Sequence, residues 1–153
     1  MHHIDFRVVE TDQWFGDAID ISIDGTNMID LVCEFELPMA TAEGTPDIAG
    51  GYMGIAASSH LPPSQHFLGI HASSLREDAK TDILWCGDCG EPGCWPLLTR
   101  ITVNDDCVIW SEFEQPHRTA RSKKTPWVYD CFGPFEFDRT QYELSLVNAA
   151  KKS

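Results

Sequence analysis

With 153 residues, 42% of them hydrophobic and 23% charged, the chain has the composition of one globular domain rather than of a disordered segment. Twenty-four acidic against eleven basic side chains give a net charge of −13, a field that repels nucleic acid and anionic membranes and attracts basic partners. No apolar run reaches the roughly 18–20 residues of a membrane span. The start, Met1-His2-His3-Ile4-Asp5, lacks the features of a secretory signal, so a cytoplasmic protein with reduced cysteines is expected.

The charge is uneven: residues 1–75 hold eleven acids and one base, Arg7, and residues 76–153 hold thirteen acids and ten bases. Residues 4–10 have a β-rich composition and predict a first strand. Residues 18–24 alternate apolar and polar side chains, which puts Ile19, Ile21 and Ile23 on one face. After the turn signal Gly25-Thr26-Asn27, alternation from about Leu31 to Leu37 predicts a second strand and hence a hairpin. From 38 to about 63, glycines and prolines break any long element, and the apolar residues Ile48, Tyr52, Met53, Ile55 and Leu61 predict a loop laid against the body. Residues 65–70 predict a short strand or turn, and 74–80 a polar loop.

Residues 81–86 and 97–103 predict strands on either side of a cysteine-rich turn. Asn104-Asp105-Asp106 turns the chain into a strand over 107–113, with Val108, Trp110 and Glu112 on one face and Ile109, Ser111 and Phe113 on the other. Both faces are partly apolar, which predicts a strand covered on each side. Residues 135–137 form a last short strand. Asp138 caps a helix from Arg139, and Gln141 completes a capping box. The helix buries Tyr142, Leu144 or Leu146, and Ala149, and ends in Lys151-Lys152. The expected class is α+β: a meander-like antiparallel sheet with long irregular loops and one C-terminal helix, in a single domain over 1–153.

The densest chemical signal is Cys86-Gly87-Asp88-Cys89-Gly90-Glu91-Pro92-Gly93-Cys94-Trp95-Pro96. Cys86-x-x-Cys89-Gly90 has the form of a zinc knuckle, in which the glycine permits a left-handed backbone and amide N–H groups point at thiolates. Cys94 supplies a third ligand, and Cys107, Cys131, His71 or His117 are candidates for a fourth. No second CxxC or HxxxH pair is present. Packed, metal-free thiols and a redox pair are the alternatives, although Gly90, Pro92 and Gly93 argue against the helix that a thioredoxin-like site needs.

Residues 89–97 resemble a family of uncharacterised bacterial hypothetical proteins. The resemblance extends to 61–69, to Val108-Ile109-Trp110-Ser111-Glu112-Phe113-Glu114-Gln115-Pro116-His117-Arg118, to Trp127-Val128-Tyr129, to Phe132-Gly133-Pro134-Phe135-Glu136-Phe137 and to Tyr142. It implies that these segments form one unit, and it carries no activity.

Gln115-Pro116-His117-Arg118 is the best candidate for polar chemistry: His117 as acid/base, Arg118 as anion holder, with Arg121, Lys123 and Lys124 nearby. The competing reading is a solvated basic loop. His60, His66 and His71 lack a repeated ligand spacing and read as hydrogen-bonded structural histidines. No serine sits in a nucleophile elbow, and Gly50-Gly51-Tyr52-Met53-Gly54 lacks the Lys-Ser/Thr of a phosphate loop. Trp95 and Trp127 are candidate exposed contacts. The expected function is a small acidic binding domain, immunity- or inhibitor-like, with a structural cysteine turn and a partner with a basic surface. The alternative is an enzyme whose anionic-substrate site at His117 and Arg118 lies beside a zinc-binding turn.

Overall fold

The computed structural model describes residues 1–70 and 80–152, so His71 and all but Lys80 of the predicted polar loop at 74–80 lie outside the described residues. Strands β1 (Ile4–Val9) and β2 (Ala18–Ile23) pair antiparallel, with Ile4 opposite Ile23 and Val9 opposite Ala18. Ile19, Ile21 and Ile23 are buried together, as their alternation predicts. Two residues of β3 (Thr26–Asn27) extend this first sheet. The second sheet contains β4 (Tyr52–Gly54), β5 (Thr81–Cys86), β6 (Leu97–Val103), β7 (Cys107–Glu114) and β8 (Phe135–Asp138), in sequence order and all antiparallel. This is the expected meander.

The two sheets are stitched at both ends. Ala18 bridges Ala56 and His2 bridges Phe137, with Ile19 N–H donating to the Ile55 carbonyl at 2.9 Å and His2 N–H to the Glu136 carbonyl at 2.7 Å. Gly54 permits the first junction: a Cβ there would stand 2.2 Å from the Ile19 carbonyl oxygen. One apolar core fills the space between, with Ile4, Ile19, Phe67, Trp110, Phe137 and Tyr142 fully enclosed.

The second strand expected over 31–37 is instead a helix, α1 (Met28–Ala42). Period-two alternation picks out Leu31, Cys33, Phe35 and Leu37, yet the fully enclosed residues are Met28, Val32, Glu36 and Ala40, a four-residue spacing that lines one helical face. Asn27 caps the helix, its side chain accepting from Ile29 N–H at 2.8 Å. Pro38, read as the end of the element, lies inside it; an interior proline removes one backbone bond and costs about 3 kcal/mol. Glu36, two residues before it, makes three tertiary hydrogen bonds described below. The remainder of the stretch expected to be irregular also holds order: a 3-10 turn (Pro46–Ile48), β4 and the single-turn helix α2 (Ala57–His60). Residues His66–Leu68 form a second 3-10 turn.

β7 lies between β6 and β8, so it is paired on both edges. Val108 and Trp110 are buried together, but Glu112 does not follow them. Its backbone turns left-handed (φ 51°), and the register against β6 slips between Leu98 and Arg100. This β-bulge exposes Glu112 and buries Phe113, breaking the alternation that the sequence suggests. The helix α3 (Arg139–Lys151) starts where expected, with Asp138 accepting from Gln141 N–H at 2.9 Å. The reciprocal half of the capping box is not made. The Gln141 side chain instead grips β1, accepting from Ile4 N–H and donating to the Ile4 carbonyl, while Ser145 Oγ accepts from Phe6 N–H. The helix thereby satisfies the outer edge of β1. Tyr142 and Leu146 are buried, and Leu144 faces outward.

Trp110 is the centre of the core: its Nε1–H donates to Tyr142 Oη at 3.0 Å, and Tyr142 in turn donates to the Phe67 carbonyl. Trp110→Ala should lower the unfolding free energy by about 3–5 kcal/mol, the range for truncating a buried aromatic. Chemical denaturation reads this directly, and a loss below about 1 kcal/mol would place Trp110 outside the core.

Candidate metal centre

β5 ends at Cys86, and the chain reverses through Gly87–Cys89 before β6 begins at Leu97. Gly90 N–H donates to the Cys86 carbonyl at 2.9 Å and adopts φ 70°, the left-handed turn a glycine takes without strain. A side chain there would press on Gln13 and Phe15, which cover this face of the turn. The result brings the Sγ atoms of Cys86, Cys89 and Cys94 within 4.8 Å of one another. Among the described residues these are the His, Cys, Asp and Glu donors that converge as a group of three or more, and three cysteines so placed could bind a metal.

The thiols are electrostatically unequal. Burial pushes the Cys86 thiol up, but the amide N–H groups of Cys89 and Asp88 and the thiols of Cys89 and Cys94 all stabilise its thiolate, and the net shift is downward. Side-chain hydrogen bonding with Cys89 and Cys86 pushes the Cys94 thiol up to about 12. Cys86 is buried, and Cys89 and Cys94 are exposed. Three thiols, one of them with backbone amides aimed at its sulfur, are a donor set suited to a soft or borderline ion.

The other proposed ligands do not join. Cys107 begins β7, at the opposite end of that strand from Gln115, and takes a weak hydrogen bond from Asn104. Cys131 is exposed and outside the group. His117 does reach the cysteine turn, but its Nε2–H donates to the Gly93 carbonyl at 3.0 Å, so that nitrogen braces the loop. His60 and His66 are structural, as read from the sequence: their rings meet edge to face, and each donates to a backbone carbonyl, Ala56 and Asp82 respectively.

Arg118 is turned inward. Its Nε and Nη2 donate to the two carboxylate oxygens of Glu43 at 2.7 and 3.3 Å, and Nη1 donates to the His117 carbonyl. Its guanidinium lies 5.0 Å from the Trp95 ring and 5.5 Å from the Trp127 ring. His117 stacks on Trp95 with an interplanar angle of 7°. The arginine hydrogen bond holds Glu43 below the usual carboxylate range, assisted by Thr45 and by Trp127 Nε1–H. Trp127 is therefore buried rather than an exposed contact. Arg121, Lys123 and Lys124 stay exposed on the following loop. The charge expected to hold an anion is neutralised within the protein.

A cleft of about 270 Å³ opens beside the cysteines, lined by Cys86, Cys94, Asp88, Asp47, Trp95 and Arg118 among others. Sequence reasoning did not single out Asp47, Glu43 or Glu36. Glu36 is completely buried on α1, accepting from Gly50 N–H at 2.9 Å, Tyr52 Oη at 2.6 Å and Tyr129 Oη. Gln115 Nε2 adds hydrogen bonds to Tyr52 Oη and to the Pro96 carbonyl. Tyr52 lies opposite Cys86 in the sheet, so this polar network underlies the cysteine turn. A buried acid in a sequence read as strand carried no signal for it. Comparison of the chain with protein-family models, with curated proteins and with solved structures finds no match.

Two predictions follow from these charges. Arg118→Ala strands the Glu43 carboxylate, whose side chain is only 7% exposed, and should cost about 3 kcal/mol, with part recovered by adding Glu43→Gln. A loss below 1 kcal/mol, with no recovery, would reduce the pair to a surface contact. Burial raises the Glu36 carboxyl above its ordinary value of 4.5, against the hydrogen bonds of Tyr129, Tyr52 and Gly50. The folded protein therefore holds this proton more tightly than the unfolded chain. Stability should fall as pH rises from about 4.5 through the raised value, and level off above it. Denaturation of wild type and Glu36→Gln across this window should show the gap between them changing in that direction; a constant gap would contradict it.

Proposed function

We propose that this is an acidic binding domain whose cysteine turn holds a structural zinc ion through Cys86, Cys89 and Cys94. The observation that carries the reading is the convergence of three Sγ atoms around a turn whose Cys89 and Asp88 amides point at the Cys86 sulfur. Zinc bound there would tie the ends of β5 and β6 together and supply folding energy. The reduced thiols this needs fit a cytoplasmic setting.

The surface supports binding to a protein with a basic face, in the manner of an immunity or inhibitor protein. The net charge is −13, and the N-terminal half holds one base. Trp14 is 66% exposed in the acidic loop at 10–17, which lies against Gly90 through Gln13 and Phe15. An exposed tryptophan is the residue type that most often anchors a protein contact. The same charge argues against nucleic acid. The catalytic alternative draws on the cleft that Cys86, Cys94 and Arg118 share. It is weakened by the bidentate grip of Glu43 on Arg118 and by the hydrogen bond of His117 to Gly93.

Metal content by mass spectrometry, on protein purified without added metal, should give one zinc per chain. Cys89→Ser should lower both zinc content and thermal midpoint, and chelator should no longer shift its melt. No metal in the wild type, with all six cysteines titrating freely after unfolding, would leave the trio as packing groups.

A further inference from the structure

The cleft beside the cysteines identifies a ligand class for the metal centre. Two of the three sulfur ligands, Cys86 and Cys94, form part of its wall, so an ion held by them borders it. At about 270 Å³ it falls below the roughly 300–1,000 Å³ of small-molecule sites, and has room for one side chain. Its charge selects what enters. Asp47 and Asp88 line it, and Arg118, the cation among its described lining residues, is paired to Glu43. A divalent ion bearing three thiolates carries a net charge of −1, so a further anion would meet repulsion from the centre and from both aspartates. A neutral nitrogen donor meets none. Imidazole is the commonest such ligand for zinc, and its second N–H is ordinarily taken by a carboxylate, which Asp47 or Asp88 can supply.

Resting on the metal reading above, we propose that this cleft receives a histidine side chain from a basic partner protein, completing a three-sulfur, one-nitrogen centre. The acidic field then recruits the partner, and the metal bond fixes its register. His117 does not join the converging sulfur group, and its Nε2–H is committed to Gly93.

The test uses the full chain loaded with Co²⁺, whose visible absorption reports ligand type and number. Imidazole should shift the d–d bands saturably, and acetate should not. A capped Gly-Lys-His-Lys-Gly peptide should act at about tenfold lower concentration than its Gly-Glu-His-Glu-Gly counterpart. Asp47→Asn with Asp88→Asn should weaken the imidazole response by about tenfold, the lower end of outer-shell effects. An unaltered spectrum with imidazole, an equal response to acetate or equal potency of the two peptides would each overturn the proposal. Absence of sulfur-to-cobalt charge transfer before any ligand is added is a separate failure: it removes the metal reading and this proposal with it.

Discussion

The buried carboxylate of Glu36 is the constraint around which this half of the molecule is arranged. A charge-bearing group with no solvent exposure is tolerated only where donors surround it, and here three donors come from two places in the chain. Gly50 precedes β4 and Tyr52 opens it, and Tyr129 belongs to the long segment before β8. The carboxylate therefore fixes how helix, sheet and loop meet. Tyr52 passes the constraint on through Gln115, which in turn holds the Pro96 carbonyl two residues beyond Cys94.

A second polar anchor works beside the first. Glu43, the C-cap residue of the same helix, draws in Arg118, whose guanidinium lies against Trp95 and Trp127. Cys94 thus sits in a loop braced from below by Gln115, from the side by the arginine–tryptophan stack, and through Gly93 by His117. Cys86 is fixed by the sheet, opposite Tyr52. Cys86 is buried, Cys89 and Cys94 are exposed, and the contacts just described hold the base beneath them, as a preformed metal site requires. The His117–Arg118 dipeptide, which reads as a candidate for polar chemistry in sequence, is tied into the protein: Arg118 pairs with Glu43, seventy-five residues away, and His117 Nε2–H is taken by the Gly93 carbonyl.

What the sequence reveals depends on how local the cause is. Strands β5, β6 and β7, the Asp138 cap and the cysteine turn rest on neighbours within a few residues, and they lie where composition and spacing put them. The hairpin assigned to 18–37 failed because Leu31, Cys33, Phe35 and Leu37 alternate by accident of composition. The deciding residue, Glu36, looks like a solvent-facing acid until its distant donors are known. The same holds for Glu112, whose bulge follows from pairing with β6, and for Trp127, whose N–H is taken by Glu43. The cysteine trio was legible because CxxC spacing is itself geometric. The cleft was not, since Asp47 and Arg118 reach it from separate elements.

The account turns on three thiolates sharing one ion. X-ray absorption at the zinc edge of the metal-loaded protein tests it most directly. The expected first shell is three sulfurs at about 2.3 Å with one lighter nitrogen or oxygen neighbour. A shell of nitrogen and oxygen alone would place the metal elsewhere on this acidic surface and contradict the assignment to Cys86, Cys89 and Cys94.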